Sequence, residues 1–311
     1  MKKIIVNIPT YNEEDNVVQI ANAVEEQLKK LHKYDYMIQF IDNDSQDSTR
    51  EKIRKLCDDN CKIRAIFNAK NFGQFNSPYY GIMQCEGDCV INICADFQEP
   101  PELIPKFVEL WEEGYLIVLG QKTSSQENRI VYRARRFYYN FMKKHSSVDF
   151  MEQVNGFGLY DHSFVQILKK LDDPQPFIRG IVAEMGTNIK LVPFEQMKRK
   201  AGKSSNGLYS YYDGAIQSIT AYTKTGIRAA VFLGLGLTFL SLIAMIIGIL
   251  FDVFNVYSYN VVENILAHAI FIVTSLQVLF IGIVGEYVLN INTNVRNRPI
   301  VIESERINFE K

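Results

Sequence analysis

Apolar residues occupy the first 120 positions in short blocks, each closed by a polar turn and separated by segments of helical period. Lys3–Ile8 reads as a strand ending in Pro9-Thr10-Tyr11-Asn12. Asn12 is a natural N-cap for a helix opening on Glu13-Glu14-Asp15, with Val17, Ile20, Ala21, Val24 and Leu28 along one face. Tyr36–Ile41 is a second strand, and the Ser/Asp-rich turn from Asp42 to Ser48 caps a helix over Thr49–Cys57. A third strand, Ile63–Phe67, ends in Asn68-Ala69-Lys70-Asn71-Phe72-Gly73; a helix to Cys85 and the strand Cys89–Ile93 follow. Strands alternating with helices over short links predict an α/β domain with a mostly parallel sheet.

In such a sheet the carboxyl ends of the strands share one edge, and ligands bind there. Three polar turns, Pro9–Glu13, Asp42–Asp47 and Cys94–Gln98, converge on it, each carrying a carboxylate. The third is the most informative. Val90–Ile93 ends in Cys94-Ala95-Asp96-Phe97-Gln98-Glu99, and Pro100-Pro101 then stops the strand and starts a helix with Glu102 in its first turn. Asp96 and Gln98 are hard oxygen donors spaced i, i+2, suited to Mg²⁺ or Mn²⁺ and so to a diphosphate. No G-x-G-x-x-G follows the first strand and no G-x₄-G-K-[ST] occurs, which removes dinucleotide oxidoreductases and P-loop NTPases.

The pattern changes after residue 228. Ala229–Phe251 is 23 residues without a charge, about 34 Å as a helix and long enough to cross a bilayer. Ile265–Gly285 is a second apolar run, interrupted only by His268, Thr274, Ser275 and Gln277. Lys224 and Arg228 precede the first run, Arg296 and Arg298 follow the second, and the loop Asp252–Asn264 has no Lys or Arg. The positive-inside rule then predicts a multi-pass protein of the inner (plasma) membrane, with the large domain and both termini cytoplasmic. The expected divisions are a catalytic domain over 1–206, a juxtamembrane amphipathic helix over 207–227, a two-helix transmembrane hairpin over 228–288 and a cytoplasmic tail over 289–311.

Charge changes little: 34 basic against 35 acidic residues give a net −1 and no field that would draw nucleic acid. Cys57, Cys61, Cys85, Cys89 and Cys94 all lie in the first third, where His32 is the one histidine, so reduced thiols are expected rather than a zinc site. Met1-Lys2-Lys3 leads straight into a strand, without a secretory signal.

Four motifs taken in order carry a resemblance: Pro9-Thr10-Tyr11-Asn12-Glu13-Glu14, Ile41-Asp42-Asn43-Asp44-Ser45-Gln46-Asp47-Ser48-Thr49, Asn71-Phe72-Gly73, and Ala95-Asp96-Phe97-Gln98-Glu99-Pro100-Pro101-Glu102. Together with Arg199-x-x-Gly202-Lys203-Ser204 and the paired apolar runs, the chain resembles the family-two inverting glycosyltransferases, in their polyprenyl-phosphate branch of dolichol-phosphate mannose synthase and bactoprenol glucosyl transferases. The resemblance implies a GT-A-type, Rossmann-like domain. Pro9, Tyr11 and Glu13 would frame the base and ribose of a nucleotide sugar, with Asn71 beside them, and Asp42 would accept from the base. The plainer alternatives are a packed aromatic at Tyr11 and a helix-capping carboxylate at Asp42. Asp96 and Gln98 would bind the metal at the donor diphosphate. Two positions depart from the family pattern: Cys94 stands where a first aspartate is usual, and Asn43-Asp44 where Asp-Gly is usual.

The basic, aromatic segment from Arg129 to Lys144 suits either a helix over a lipid phosphate, through Arg133 and Arg136, or a solvated helix with a buried aromatic stripe. Asn155–Asp161 resembles the glycine-phenylalanine segment beside the acceptor. Glu184 is the candidate acid that positions the acceptor, its alternative being a partner to Arg179. Arg199 and Lys203, in the flexible basic stretch Phe194–Ser205, suit closure over phosphates. Gly207–Thr225 reads as a tyrosine-rich helix in the membrane interface, and the tail after Arg296 carries no evident function.

The expected protein is therefore a membrane-anchored, metal-dependent glycosyltransferase. It would move one hexose from a nucleotide sugar, UDP-glucose or similar, to polyprenyl (undecaprenyl) phosphate with inversion, giving a lipid-linked donor for surface polymers. Catalysis would fall to Asp96, Glu184 and Arg199. A processive synthase is disfavoured because its Gln-x-x-Arg-Trp signature is missing, the single Trp111 lying in Leu110-Trp111-Glu112-Glu113 on a surface-type helix. Cys94 leaves open a non-catalytic nucleotide-sugar sensor, and a homo-oligomer is left open.

Overall fold

The computed structural model describes residues 1–123, most of 138–148, 151–197 except 172 and 175, scattered positions between 216 and 247, the helix Val261–Val295, and 298–309. An eight-stranded sheet organises them: β1 (Lys2–Thr10), β2 (Tyr34–Asp42), β3 (Ile63–Asn68), β4 (Cys89–Asn92), β5 (Ile117–Lys122), β6 (Val154–Asp161), β7 (Ile189–Phe194) and β8 (Glu303–Ile307). Their order across the sheet is β7-β5-β6-β4-β1-β2-β3-β8. The pairs β1·β2, β1·β4, β2·β3 and β5·β7 are parallel, whereas β4·β6, β5·β6 and β3·β8 are antiparallel. The mostly parallel α/β sheet expected from the alternation is thus present.

Both faces are covered, as parallel strands require. Alternation along β1 sends Ile4, Val6 and Ile8 into a cluster with Ile20 and Val24 of α1 (Val17–Lys29), Ile53 of α2 (Thr49–Asp59) and Phe107 of α4 (Ile104–Glu112). Ile5 points the other way, toward Tyr79 of α3 (Gly73–Met83), Phe164 of α5 (His162–Leu171) and Ile181 of α6 (Ile178–Met185). A polar rung crosses the middle of the sheet: Gln39 Nε2 donates to Asn7 Oδ1 (3.0 Å) and to Gly81 O (2.7 Å), and Asn7 Nδ2 donates to Asn92 Oδ1 (2.9 Å). A Cβ on Gly81 would stand 2.5 Å from Asn7 Oδ1, so α3 can lie this close only with glycine there.

Three sequence expectations change. Asn12 does not cap a helix; it takes a left-handed φ of 55° in the β1–α1 turn, and the helix starts at Val17 after Asn16. Trp111 is not on a surface face but 8% exposed, its Nε1 donating to Asp161 Oδ2 at 2.8 Å. The stretch read as a tail without function supplies β8, which pairs with β3 and brings Ile300 and Val301 into the core.

The helix α7 (Val261–Val295) contains the span-like window Ile272–Leu289, of mean hydropathy 1.9 and with none of it buried. Among the described residues it is the one helix long and apolar enough to cross a membrane. The first expected span, Ala229–Phe251, lies largely outside them, so the two-helix hairpin is not seen as a pair. Most of the expected juxtamembrane segment lies outside the described residues; within it Tyr222 is 9% exposed and packs with Phe177 and Met142.

Candidate active site

The carboxyl ends of β1, β2, β3 and β4 lie side by side, and their turns are stitched to one another. Asn12 N donates to Ser45 Oγ (2.9 Å), Gln46 N to Asn12 Oδ1 (2.8 Å), and Glu13 N to Thr49 Oγ1 (2.9 Å). Glu14 N donates to Asp47 Oδ2 (3.2 Å), and Ser48 N in return to Glu14 Oε2 (3.2 Å). The Ser/Asp-rich pattern that looked like helix capping therefore ties the first turn to the second. Pro9, Tyr11 and Glu13 are each half-buried along this seam.

Asp42 is fully buried. Its Oδ1 accepts from Arg50 Nε (2.6 Å) and Ser45 N (3.1 Å), and its Oδ2 from Ser45 Oγ (2.5 Å). Arg50 also donates through Nη2 to Asn68 O (2.5 Å) and lies 3.4 Å from Asp44, whose φ of 67° lets the turn fold back. Arg50 was not singled out by sequence reasoning; its place eight residues after Asp42, on the first turn of α2, is the signal that marks it. Asn43 extends the frame to the third turn: Nδ2 donates to Asn71 Oδ1 (3.0 Å), while Oδ1 accepts from Phe72 N (2.9 Å) and Asn68 Nδ2 (3.1 Å). Asn71, itself exposed, is thereby tied through Asn43 to the turn that buried Asp42 begins.

The fourth turn follows β4. Asp96 is 7% exposed and Gln98 half-buried. Gln98 N donates to Asp96 Oδ1 (3.1 Å) across Phe97, whose φ of 58° makes the tight bend. Behind it Glu99, 2% exposed, accepts from Cys94 N (2.8 Å) and Asn155 Nδ2 (2.5 Å). Burial is the main cause that pushes the Glu99 carboxyl up to about 7, with the Cys94 amide opposing and the Asp96 charge adding to it. Burial likewise raises the Cys94 thiol, and the neighbouring Glu99 and Asp96 add to that rise.

The donor set suits a hard divalent cation. Asp96 offers a carboxylate and Gln98 an amide oxygen, and Mg²⁺ or Mn²⁺ completes its sphere from substrate phosphates and water. Among the described residues no group of three or more His, Cys, Asp or Glu side chains stands ready for a metal, so most of the sphere would come from the ligand.

Glu184 stands apart: it is exposed on the last turn of α6, five residues from Arg179, whose guanidinium lies over Phe177 at 5.2 Å. Arg133, Arg136, Arg199 and Lys203, expected at the phosphates, fall outside the described residues.

A parallel 3-2-1-4 core, with stitched polar turns and a strand-end aspartate on one edge, is a GT-A-like α/β domain. The chain belongs to glycosyl transferase family 2, whose model matches residues 5–173, and it is a glycosyltransferase. Over nearly its whole length it is similar to the "Putative glycosyltransferase CsbB" of Bacillus subtilis, at 29% identity over 95% of this chain and 89% of that protein. It is similar also to the "SfII prophage-derived bactoprenol glucosyl transferase" of Shigella flexneri, at 28% identity over 98% of this chain and 99% of the relative. Among solved structures, glucosyl-3-phosphoglycerate synthase from Mycobacterium tuberculosis in complex with phosphoglyceric acid shares the fold, with a TM-score of 0.50, 16% identity and 70% and 78% of the two chains covered.

Proposed function

We propose that this chain is a membrane-anchored hexosyltransferase that moves one sugar, glucose in the first instance, from a UDP-sugar to polyprenyl (undecaprenyl) phosphate with inversion. The observation that carries the reading is the end-to-end similarity to bactoprenol glucosyl transferases, 98% of this chain against 99% of theirs, which extends past the catalytic domain into the apolar segments. The stitched turns at the carboxyl edge supply a frame for the nucleotide. Pro9, Tyr11, Glu13 and Asn71 line it, and Asp42, held by Arg50, sets its floor. Mg²⁺ or Mn²⁺ held by Asp96 and Gln98 would neutralise charge on the departing nucleoside diphosphate.

The acceptor phosphate is already anionic near neutral pH and needs no strong base. Placement of its oxygen in line with the anomeric carbon and screening of its charge matter more. Glu184, Arg199, Arg133, Arg136 and Lys203 are the residues assigned to that task. The product would be a lipid-linked hexose, used by a later transferase for a cell-surface polymer.

A parity argument supports a multi-pass arrangement. β8 pairs with β3, and Ile300 and Val301 are buried in the domain's core, so the chain re-enters the domain it left after β7. If α7 crosses the bilayer once, a second crossing must precede it, and Ala229–Phe251 has the length. Two crossings would leave the domain and both termini on one side, and the basic flanks Lys224, Arg228, Arg296 and Arg298 favour the cytoplasm for it.

The test is a panel of radiolabelled nucleotide sugars offered to membranes with undecaprenyl phosphate. One UDP-hexose should give an organic-soluble product with inverted anomeric configuration. Hydrolysis without lipid product, or a polymer many sugars long, would contradict the reading.

A further inference from the structure

Glu99 is a buried carboxylate with no part in the transfer as proposed, and it sits where the sheet stops holding its two central turns together. The β4·β6 ladder ends at the pair Asn92↔Gly158. Beyond it the chain diverges into Cys94–Gln98, which carries Asp96, and into Asn155–Phe157, the segment that sequence places beside the acceptor. Two side chains span that gap. Asn92 Nδ2 reaches Gly156 O at 3.4 Å, a long bond. Glu99 makes the tight connection, with Oε2 on Cys94 N (2.8 Å) and Oε1 on Asn155 Nδ2 (2.5 Å), while Asn155 Oδ1 accepts from Phe157 N at 3.4 Å. Both donors are N–H groups, so the site calls for an acceptor at each end, which a carboxylate supplies and an amide does not.

We propose that Glu99 is a positioning residue that clamps the Asp96 turn to the acceptor-side segment at Asn155, fixing the separation between donor and acceptor. The inference rests on the functional reading above for which side is donor and which acceptor. In an in-line displacement a misplacement of about 1 Å costs on the order of 100-fold in rate. Asn155–Phe157 stays in β6, which pairs with β5 at Leu119↔Gly158 and Gln121↔Val154, but it lies beyond the last β4·β6 pair, so no rung between β4 and β6 sets its distance from the Asp96 turn. The half-buried Cys94 contributes its backbone amide to the clamp, which gives that position a use independent of its side chain.

The experiment exchanges the two ends of the clamp. In Glu99→Gln, the new Nε2 either meets the Cys94 N–H head-on or makes the Asn155 amide turn, which then faces Phe157 N with its nitrogen in place of Oδ1. In Asn155→Asp, two acids face each other. In the double variant, the introduced amide at position 99 accepts from Cys94 N through its oxygen and donates through its nitrogen to the introduced carboxylate at position 155. Both bonds are thereby restored at unchanged net charge. Each single variant should lose about tenfold or more in kcat with the donor KM within about twofold, and the double should recover to within about threefold of the parent. Amide hydrogen exchange, read on the same proteins without substrate, should rise together at 94–98 and 155–157 in the singles and return in the double. Singles that keep the parent's kcat and exchange, or a double no better than the worse single, would overturn the clamp. A parent that transfers no sugar would count against the functional reading instead, and the exchange data would still decide the clamp.

Discussion

Asp42 and Asp96 are both strand-end carboxylates, yet their surroundings give them different work. Asp42 is fully buried, its oxygens taken up by Arg50 and Ser45. Removing one partner of such a pair leaves a charge buried and uncompensated. Arg50→Gln should therefore cost roughly 2–3 kcal/mol of stability, below the roughly 3–5 kcal/mol of a fully buried pair because Arg50 keeps some exposure. Adding Asp42→Asn should return much of that in a urea titration, whereas both variants should lose UDP affinity in calorimetry. Asp96 is 7% exposed, and its Oδ1 accepts from Gln98 N across a turn held from behind by Glu99. Asp96→Ala should cost about 1 kcal/mol in the same titration, the loss of the turn bond to Gln98 N. Phe157 packs tilted against Phe107 (5.0 Å) and edge-on to Phe194 (5.4 Å), and Phe157→Ala should cost about 3–5 kcal/mol by the same titration.

The strand β8 shows what an element contributes beyond its own residues. It covers the edge of β3, and three successive positions anchor it: Ser304 Oγ donates to Phe67 O (3.0 Å), Arg54 bonds Glu305 (2.8 Å), and Tyr80 OH donates to Glu303 (2.9 Å). Phe67 and Asn68 are the end of the strand that holds Arg50, so deleting 300–311 should lower thermal stability and weaken nucleotide binding together, in differential scanning fluorimetry with and without UDP. Gly158 makes the opposite kind of contribution. A Cβ there would lie 2.2 Å from Val118 O in the neighbouring strand, so Gly158→Ala should destabilise by about 1–3 kcal/mol or more. The first four strands and their turns were legible in the pattern, because apolar blocks ending in Asn, Asp and Pro are strongly periodic. β8 was not, since Glu303-Ser304-Glu305-Arg306 alternates polar groups on an edge and has no apolar run to announce it. Trp111 was misjudged for a related reason: its acidic neighbours Glu112 and Glu113 suggest a surface, but helical spacing turns its ring inward with Leu110 and Phe107. Asn12 looked like a cap until the second turn was seen to need its side chain. Glu99 was quoted within a motif without a role, because the partner that explains it, Asn155, is 56 residues away.

At the scale of the whole molecule, a sheet that takes its last strand from beyond the apolar helix α7 ties that helix to the catalytic domain. A cysteine-free variant with a single cysteine at 311 should be labelled by an impermeant maleimide only after the cytoplasmic face is opened, and one at Ser258 should be labelled from outside. The central claim is sugar transfer to a polyprenyl phosphate at the Asp96 turn. Its most direct measurement is the rate at which label from UDP-[¹⁴C]glucose enters the organic phase in purified protein with undecaprenyl phosphate and Mg²⁺, for the parent and for Asp96→Ala. Label should enter lipid only when both substrates are present, and its rate should fall by about 100-fold or more in the variant. Label that stays in water with the parent, or that enters lipid equally fast in Asp96→Ala, would contradict the claim.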